Sequence, residues 1–177
     1  MLIKNAKVFV GRAFTDADLR FGQTIEAVGA LEGSADWDAA GCYVIPGLVD
    51  IHTHGAMGED FSDATPEGLQ KMADYELSRG ITQICPAGMT LGEDQLTRIC
   101  QNAAAHKAQN AGGAELVGVN LEGPFLCKAK KGAQAEEYII DPDWEMFQRL
   151  WERSGHNIRL VDVAPELPGA LEFAQKA

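Results

Sequence analysis

Asp50-Ile51-His52-Thr53-His54-Gly55 sets two imidazoles two residues apart at the end of an apolar run. Alternate side chains of a strand share a face, so His52 and His54 project together and can hold one divalent ion through ring nitrogens. Taken alone, the pair also fits two hydrogen-bonded histidines at a strand end. Asn120-Leu121-Glu122-Gly123-Pro124-Phe125 offers the complement. A carboxylate is costly to bury unless it is paired or bound to a metal. Pro124 cannot continue a ladder, so the strand stops there and Glu122 faces its carboxyl-end mouth. By itself Glu122 fits a capping residue equally well. Together the three side chains form a ligand set for zinc or iron with open positions for water. An ion so held acidifies water and polarises a carbonyl oxygen, the chemistry of amide or ester hydrolysis. That reaction needs a general base, and none stands out. His106 falls in a helical stretch and His156 in a turn beside Gly155, and both read as surface residues. Lys128, Lys130 and Lys131, around Gly132-Ala133-Gln134, form a basic loop suited to an anionic substrate such as a phosphorylated sugar, or a plain solvated loop.

The elements that must position these residues follow from residue 48 on. A strand is expected at about Leu48–His52. Thr65-Pro66-Glu67 starts a helix with a Thr cap and Pro at the first position, and Leu69, Met72, Ala73 and Leu77 are its apolar face. Gly80 ends it, and Ile81–Cys85 is a buried strand stopped by Pro86. A second helix covers Gly92–Ala108, with Leu96, Ile99, Cys100 and Ala103 on one face. Glu115–Leu121 is the third strand. A third helix runs from near Pro142 to Ser154, with Trp144, Phe147, Leu150 and Trp151 against the sheet. Ile158–Val163 is the fourth strand, and Gly169–Ala177 begins a fourth helix. This alternation predicts an α/β fold with right-handed crossovers and a parallel sheet covered on both faces. Functional residues of such sheets sit at the carboxyl ends of the strands, where both motifs lie. Residues 1–47 read instead as short strands and turns, with Met1–Val10 alternating, Thr24–Gly29 a second strand, and Leu31–Gly41 a polar loop whose Glu32, Asp36 and Asp38 are solvated.

The 177 residues are 46% hydrophobic and 23% charged, which suits a globular chain. A net charge of −11 argues against non-specific nucleic-acid binding and against docking on an anionic membrane. No signal pattern or membrane-length apolar run is visible. Cys42, Cys85, Cys100 and Cys127 are scattered, unlike a zinc ribbon or a disulfide scaffold, and read as small buried hydrophobes in a cytoplasmic protein.

PGLVDIHTHG at Pro46–Gly55 resembles the opening metal motif of the amidohydrolase superfamily. NLEGPF at Asn120–Phe125, KKGAQ at Lys130–Gln134 and LVDVAPELPGA at Leu160–Ala170 are, in that order, similar to its N-acetylglucosamine-6-phosphate deacetylase family. The resemblance runs over the whole chain. It implies a metal-dependent hydrolase TIM barrel, present as its first four or so strand–helix units in residues 48–177, preceded by part of a small β-sandwich in residues 1–47. It implies hydrolysis of the N-acetyl group of N-acetylglucosamine 6-phosphate to glucosamine 6-phosphate and acetate. It implies one or two divalent ions, zinc or iron, with Glu122 as the principal ligand and His52 and His54 as the pair that binds a second metal in some members. Ala133 matches the loop position whose backbone touches the sugar phosphate, and the implied assembly is a homodimer. The family's later metal histidines, its phosphate-binding Arg and His and its catalytic Asp fall beyond the equivalent of residue 177, which implies little or no activity for this chain alone. Two other readings remain at this point. One is a dihydroorotase-like hydrolase of cyclic amides, against which the EGPF and GAQ segments argue. The other is a non-catalytic, metal-binding half-barrel that self-associates through exposed edges.

Overall fold

The computed structural model describes residues 1–109 and 111–177. The chain divides into two units, Met1–Pro46 and Gly47–Ala177. The first is all β. Strands β1 (Leu2–Val10), β2 (Ala13–Phe21) and β3 (Ile25–Gly29) form an antiparallel meander, and β4 (Trp37–Asp38) and β5 (Tyr43–Val44) add in parallel along the other side of β1. The β1–β2 turn places Gly11 at φ +59°, where glycine is unstrained. Ile3, Ala6, Val8, Leu19 and Ala39 form a small core. The polar sequence of β2 hides it from a periodicity reading, since only Leu19 of its nine residues is buried; its backbone pairing with β1 and β3 holds it. Asp36 and Asp38 are exposed, yet both are tied down: Leu2 N–H donates to Asp36, and the Asn5 amide and Ala40 N–H donate to Asp38.

The second unit opens with β6 (Leu48–Asp50), two residues shorter than expected, and a tight hairpin, β7 (Gly55–Ala56) and β8 (Glu59–Asp60). Helix α1 (Pro66–Ser78) follows, its N-terminus capped by Thr65 accepting from Gly68 N–H. Next come β9 (Ile81–Ile84) and β10 (Ala87–Gly88) on either side of Pro86, and then α2 (Glu93–Gln109). The expected third strand is also two pieces, β11 (Glu115–Leu116) and β12 (Val119–Leu121), because the ladder changes partners between them. Helix α3 (Trp144–Arg153), capped by Asp143, β13 (Ile158–Val161) and α4 (Ala170–Lys176) complete the unit. The loop at residues 128–138 contains two single turns of 3-10 helix.

All sheet pairings among β6, β9–β13 are parallel. The order is β6, then β9 continuing as β10, then β11 continuing as β12, then β13, so each strand lies beside its neighbour in sequence. The core gathers Met72, Ile84, Leu96, Ile99, Leu121, Phe125, Leu150 and Phe173. Coverage of the sheet is uneven: Leu48, Val49, Ile51 and Leu160, on the two outermost strands and just after β6, are exposed. The expectation of strands covered on both faces holds only for the inner ones.

Three expectations are corrected in detail. Helix α1 turns Glu76, not Leu77, into the protein, because Leu69, Met72, Ala73 and Glu76 follow the i, i+3, i+4, i+7 spacing; burial, with Asp50 adding repulsion, raises the Glu76 carboxyl above its ordinary range. His106 is buried in α2 rather than on the surface, and burial lowers its imidazole below the ordinary value, with Asp74 opposing. Of the cysteines, Cys85 and Cys100 are buried, their thiols pushed up to about 11 and about 12, while Cys42 is exposed and Cys127 half-buried. No helix among the described residues is long and apolar enough to cross a membrane.

Helix α3 is held by its apolar stripe. Leu150 is fully buried, whereas Leu171 of α4 is 74% exposed. Leu150→Ala is expected to cost about 2–5 kcal/mol and Leu171→Ala less than about 0.5 kcal/mol, read as the shift in urea midpoint at unchanged slope.

Candidate metal centre

After β6 the chain stays extended and tied to the next strand, with Cys85 N–H donating to Asp50 O and Ala87 N–H to Thr53 O, both at 2.8 Å. The Asp50 carboxylate accepts from His52 N–H at 2.9 Å and fixes the local backbone. The two-residue alternation survives past the formal end of the strand, so both imidazoles reach the same spot. The hairpin that follows takes its turn at Met57 and Gly58 with positive φ, and Phe61 N–H returns to His54 O at 2.7 Å, pinning the second histidine from its other side.

Glu122 follows the last residue of β12. The Thr90 hydroxyl donates to its carbonyl at 3.1 Å. Gly123 has φ +102°, and a Cβ there would collide with Thr90 Oγ1, so glycine is required for this close approach. The carboxylate Oε2 lies 3.2 Å from His52 Nε2 and 2.9 Å from His54 Nε2. These three residues are the metal-capable cluster found among the described residues. Their side chains are 45%, 35% and 25% exposed in the order His52, His54, Glu122, so the site is open to an incoming molecule.

Hydrogen positions test whether an ion fits. His54 Nδ1 lies 2.9 Å from Ala87 O, which can only accept, so Nδ1 carries the hydrogen. In the neutral ring Nε2 is then a bare lone pair, aimed at a carboxylate oxygen. Glu122 Oε2 is sealed from solvent and has no well-aligned donor, even with two ring nitrogens in range. A cation resolves the meeting of the His54 and Glu122 lone pairs. Ligand atoms each about 2 Å from a tetrahedral zinc lie about 3.3 Å apart, close to the separations observed, and the residues fit the ion.

Sequence reasoning missed two polar residues at this edge. Asn120, buried in β12, places its Nδ2 3.2 Å from His52 Nδ1. Asp162 follows β13, and its N–H donates to Leu121 O at 2.9 Å. Burial raises its carboxyl above the usual range, Glu122 adds to the shift, and His52 opposes it. Asp162 was discoverable from its place after the fourth strand, the counterpart of Glu122 after the third. His106 and His156 lie elsewhere, on α2 and stacked on Trp151.

In the basic loop, Ala133 is exposed in a turn, as are Lys128 and Lys130. Gln134 is buried; its Oε1 accepts from Thr90 N–H at 2.7 Å, and its carbonyl accepts from Lys131 Nζ at 3.0 Å. Thr90 thus joins the loop carrying Ala133 to the backbone of Glu122.

No protein-family model matches the sequence. Among curated proteins, the chain is 32% identical over 150 residues to N-acetylglucosamine-6-phosphate deacetylase of Lysinibacillus sphaericus, covering 85% of this chain and 37% of that one. It is 35% identical over 126 residues to the Bacillus subtilis enzyme of that name, covering 70% and 32%. The chain therefore spans about a third of the length of these relatives. Among solved structures, N-acetyl-D-glucosamine-6-phosphate deacetylase from Mycobacterium smegmatis superposes with a TM-score of 0.88 at 30% identity, covering 99% of this chain and 47% of that one. A variant of that enzyme in complex with N-acetyl-D-glucosamine 6-phosphate superposes at 0.84, covering 97% and 45%. In sequence and in fold, this chain is similar to part of the N-acetylglucosamine-6-phosphate deacetylases.

Proposed function

We propose that the chain is the metal-holding N-terminal portion of an N-acetylglucosamine-6-phosphate deacetylase, comprising the first four strand–helix units of a (β/α)8 barrel and part of a β-sandwich. The convergence of His52 Nε2, His54 Nε2 and Glu122 Oε2 at the carboxyl edge of parallel strands carries the reading. That is the edge where such barrels do their chemistry. The strand order and the Mycobacterium smegmatis complex with N-acetyl-D-glucosamine 6-phosphate support the fold and the substrate class.

In this reading Glu122, His52 and His54 hold zinc or iron, and Glu122 offsets part of the charge of the ion. When bound, the ion supplies Lewis-acid polarisation of the acetamide carbonyl and acidifies water. His54 keeps its ring oriented by donating Nδ1–H to Ala87 O. The exposed turn at Gly132-Ala133 offers backbone to the sugar phosphate, and Lys128 and Lys130 add attraction for the anion. The assembly is a homodimer, which sedimentation of the chain tests.

Two outcomes check the reading. The isolated chain is expected to take up zinc or cobalt(II) in equilibrium dialysis, and Glu122→Gln to weaken that uptake about 10–100-fold or more, since even outer partners of metal ligands cost that much. Binding unchanged in the variant would remove Glu122 from the site. Acetate release from N-acetylglucosamine 6-phosphate by the isolated, metal-loaded chain is expected to stay far below the ~1–1000 per second of ordinary enzymes. Turnover in that range would show that these residues suffice, and would overturn the assignment of the general base to a part of the enzyme beyond them.

A further inference from the structure

Asn120 occupies a place where a carboxamide needs a reason. It sits between Val119 and Leu121 in an inner strand and is 3% exposed. Its cross-strand neighbours are Ala87 and Leu160, which offer its side chain no polar partner. Burying an amide without hydrogen bonds is costly. Its side chain has a single contact of this kind among the described residues, Nδ2 to His52 Nδ1 at 3.2 Å, and Oδ1 is sealed with no partner.

The two histidines therefore differ in what orients them. The partner of His54 Nδ1 is a backbone carbonyl, which only accepts, so that ring always keeps Nε2 bare. The partner of His52 is a primary amide, which donates from one end and accepts at the other. With Nδ2 toward the ring, His52 Nδ1 is the acceptor, the ring hydrogen sits on Nε2, and Nε2 faces Glu122 Oε2 at 3.2 Å. That arrangement puts a hydrogen rather than a lone pair toward the carboxylate, though not well aligned with it, and a protonated Nε2 cannot ligate. With the amide turned over about its terminal bond, Oδ1 takes the place of Nδ2, accepts from Nδ1–H, and Nε2 is left bare.

We propose that Asn120 is a positioning residue that selects the His52 tautomer: its carboxamide donates to Nδ1 in the ion-free centre and turns over to accept from Nδ1–H when a divalent cation enters, freeing Nε2 to ligate. The proposal rests on the metal reading above. The half-exposed ring lets the hydrogen on Nε2 leave to solvent while Nδ1 takes one up, so the net proton count of the ring is unchanged. No backbone movement is needed. His54 and Glu122 are then the fixed part of the site and His52 the adaptable part.

The test is long-range proton–nitrogen NMR of the histidine-labelled chain at pH 8, with and without zinc, which reads the hydrogen on each ring nitrogen directly. Expected without zinc are His52 Nε2–H and His54 Nδ1–H; with zinc, both rings carry the hydrogen on Nδ1. Asn120→Asp, which only accepts, should hold His52 as Nδ1–H even without zinc and keep zinc affinity at or above that of the parent. Asn120→Leu should lose about 10–100-fold in affinity, with circular dichroism reporting whether it folds. Zinc uptake with the His52 hydrogen unmoved overturns the role of Asn120 and leaves the metal site standing. Absence of zinc uptake overturns both. The spectra of the unsubstituted chain decide the matter even if a variant does not fold.

Discussion

A carboxylate oxygen with two imidazole nitrogens at 2.9 and 3.2 Å is the constraint around which this end of the sheet is arranged. Carboxylates accept, and a neutral imidazole committed to a carbonyl through one nitrogen also presents a lone pair at the other. Such groups stay together only if positive charge or a shared hydrogen lies among them. The surroundings do not let them drift apart. His54 is held at its ring by Ala87 O and at its carbonyl by Phe61 N–H. His52 is held at its backbone by Asp50. Glu122 is held by Thr90 and by a glycine that only just clears it.

Parallel registry does the rest. Ala87 pairs with Asn120 and Gly88 with Leu121, so the residue after β12 is brought level with the segment that accompanies β10. That segment is the stretch carrying His52 and His54, bonded through Thr53 O to Ala87 N–H. One residue, Ala87, thus contributes its N–H to one histidine-bearing strand, its carbonyl to His54, and its place in the ladder to the strand leading to Glu122. A one-residue slip would reverse which side chains face the site, and the buried Val119 and Leu121 resist it, because a slip would move them off the core.

The three clustered side chains, His52, His54 and Glu122, were legible because their chemistry is carried by residue type and by a period of two, both visible in a string of letters. The helices were legible to within a residue or two, since Thr65, Pro66 and Gly80 mark their ends locally. What stayed hidden depends on partners far away in sequence. The break between β11 and β12 reflects a change of neighbour, not a turn signal. His106 is buried because α2 packs beside α1, which no local window contains. Asn120 read only as the strand residue that opens a motif, and its amide contact is to the ring of His52, 68 positions away. The polar strand β2 shows the same principle in the head unit, where pairing overrides propensity.

Gln134 ties the basic loop to the strand end that carries Glu122. Its buried amide accepts from Thr90 N–H, and the hydroxyl of the same threonine donates to the Glu122 carbonyl. The loop that carries Ala133 and the strand end that carries the carboxylate are therefore anchored to one residue rather than to each other. Thr90 is itself almost wholly buried, so neither bond competes with water. The turn at Gly132-Ala133 and the strand end at Glu122, fixed to a common point, keep a constant separation. The proposed deacetylase reading needs that constancy, because an anchor at one end of a sugar sets where its acetamide carbonyl falls at the other, and a displacement of about 1 Å costs about a hundredfold in rate. In the proposed reading the glutamine would align the site, linking through Thr90 the turn that would meet the anion to the strand end that carries Glu122.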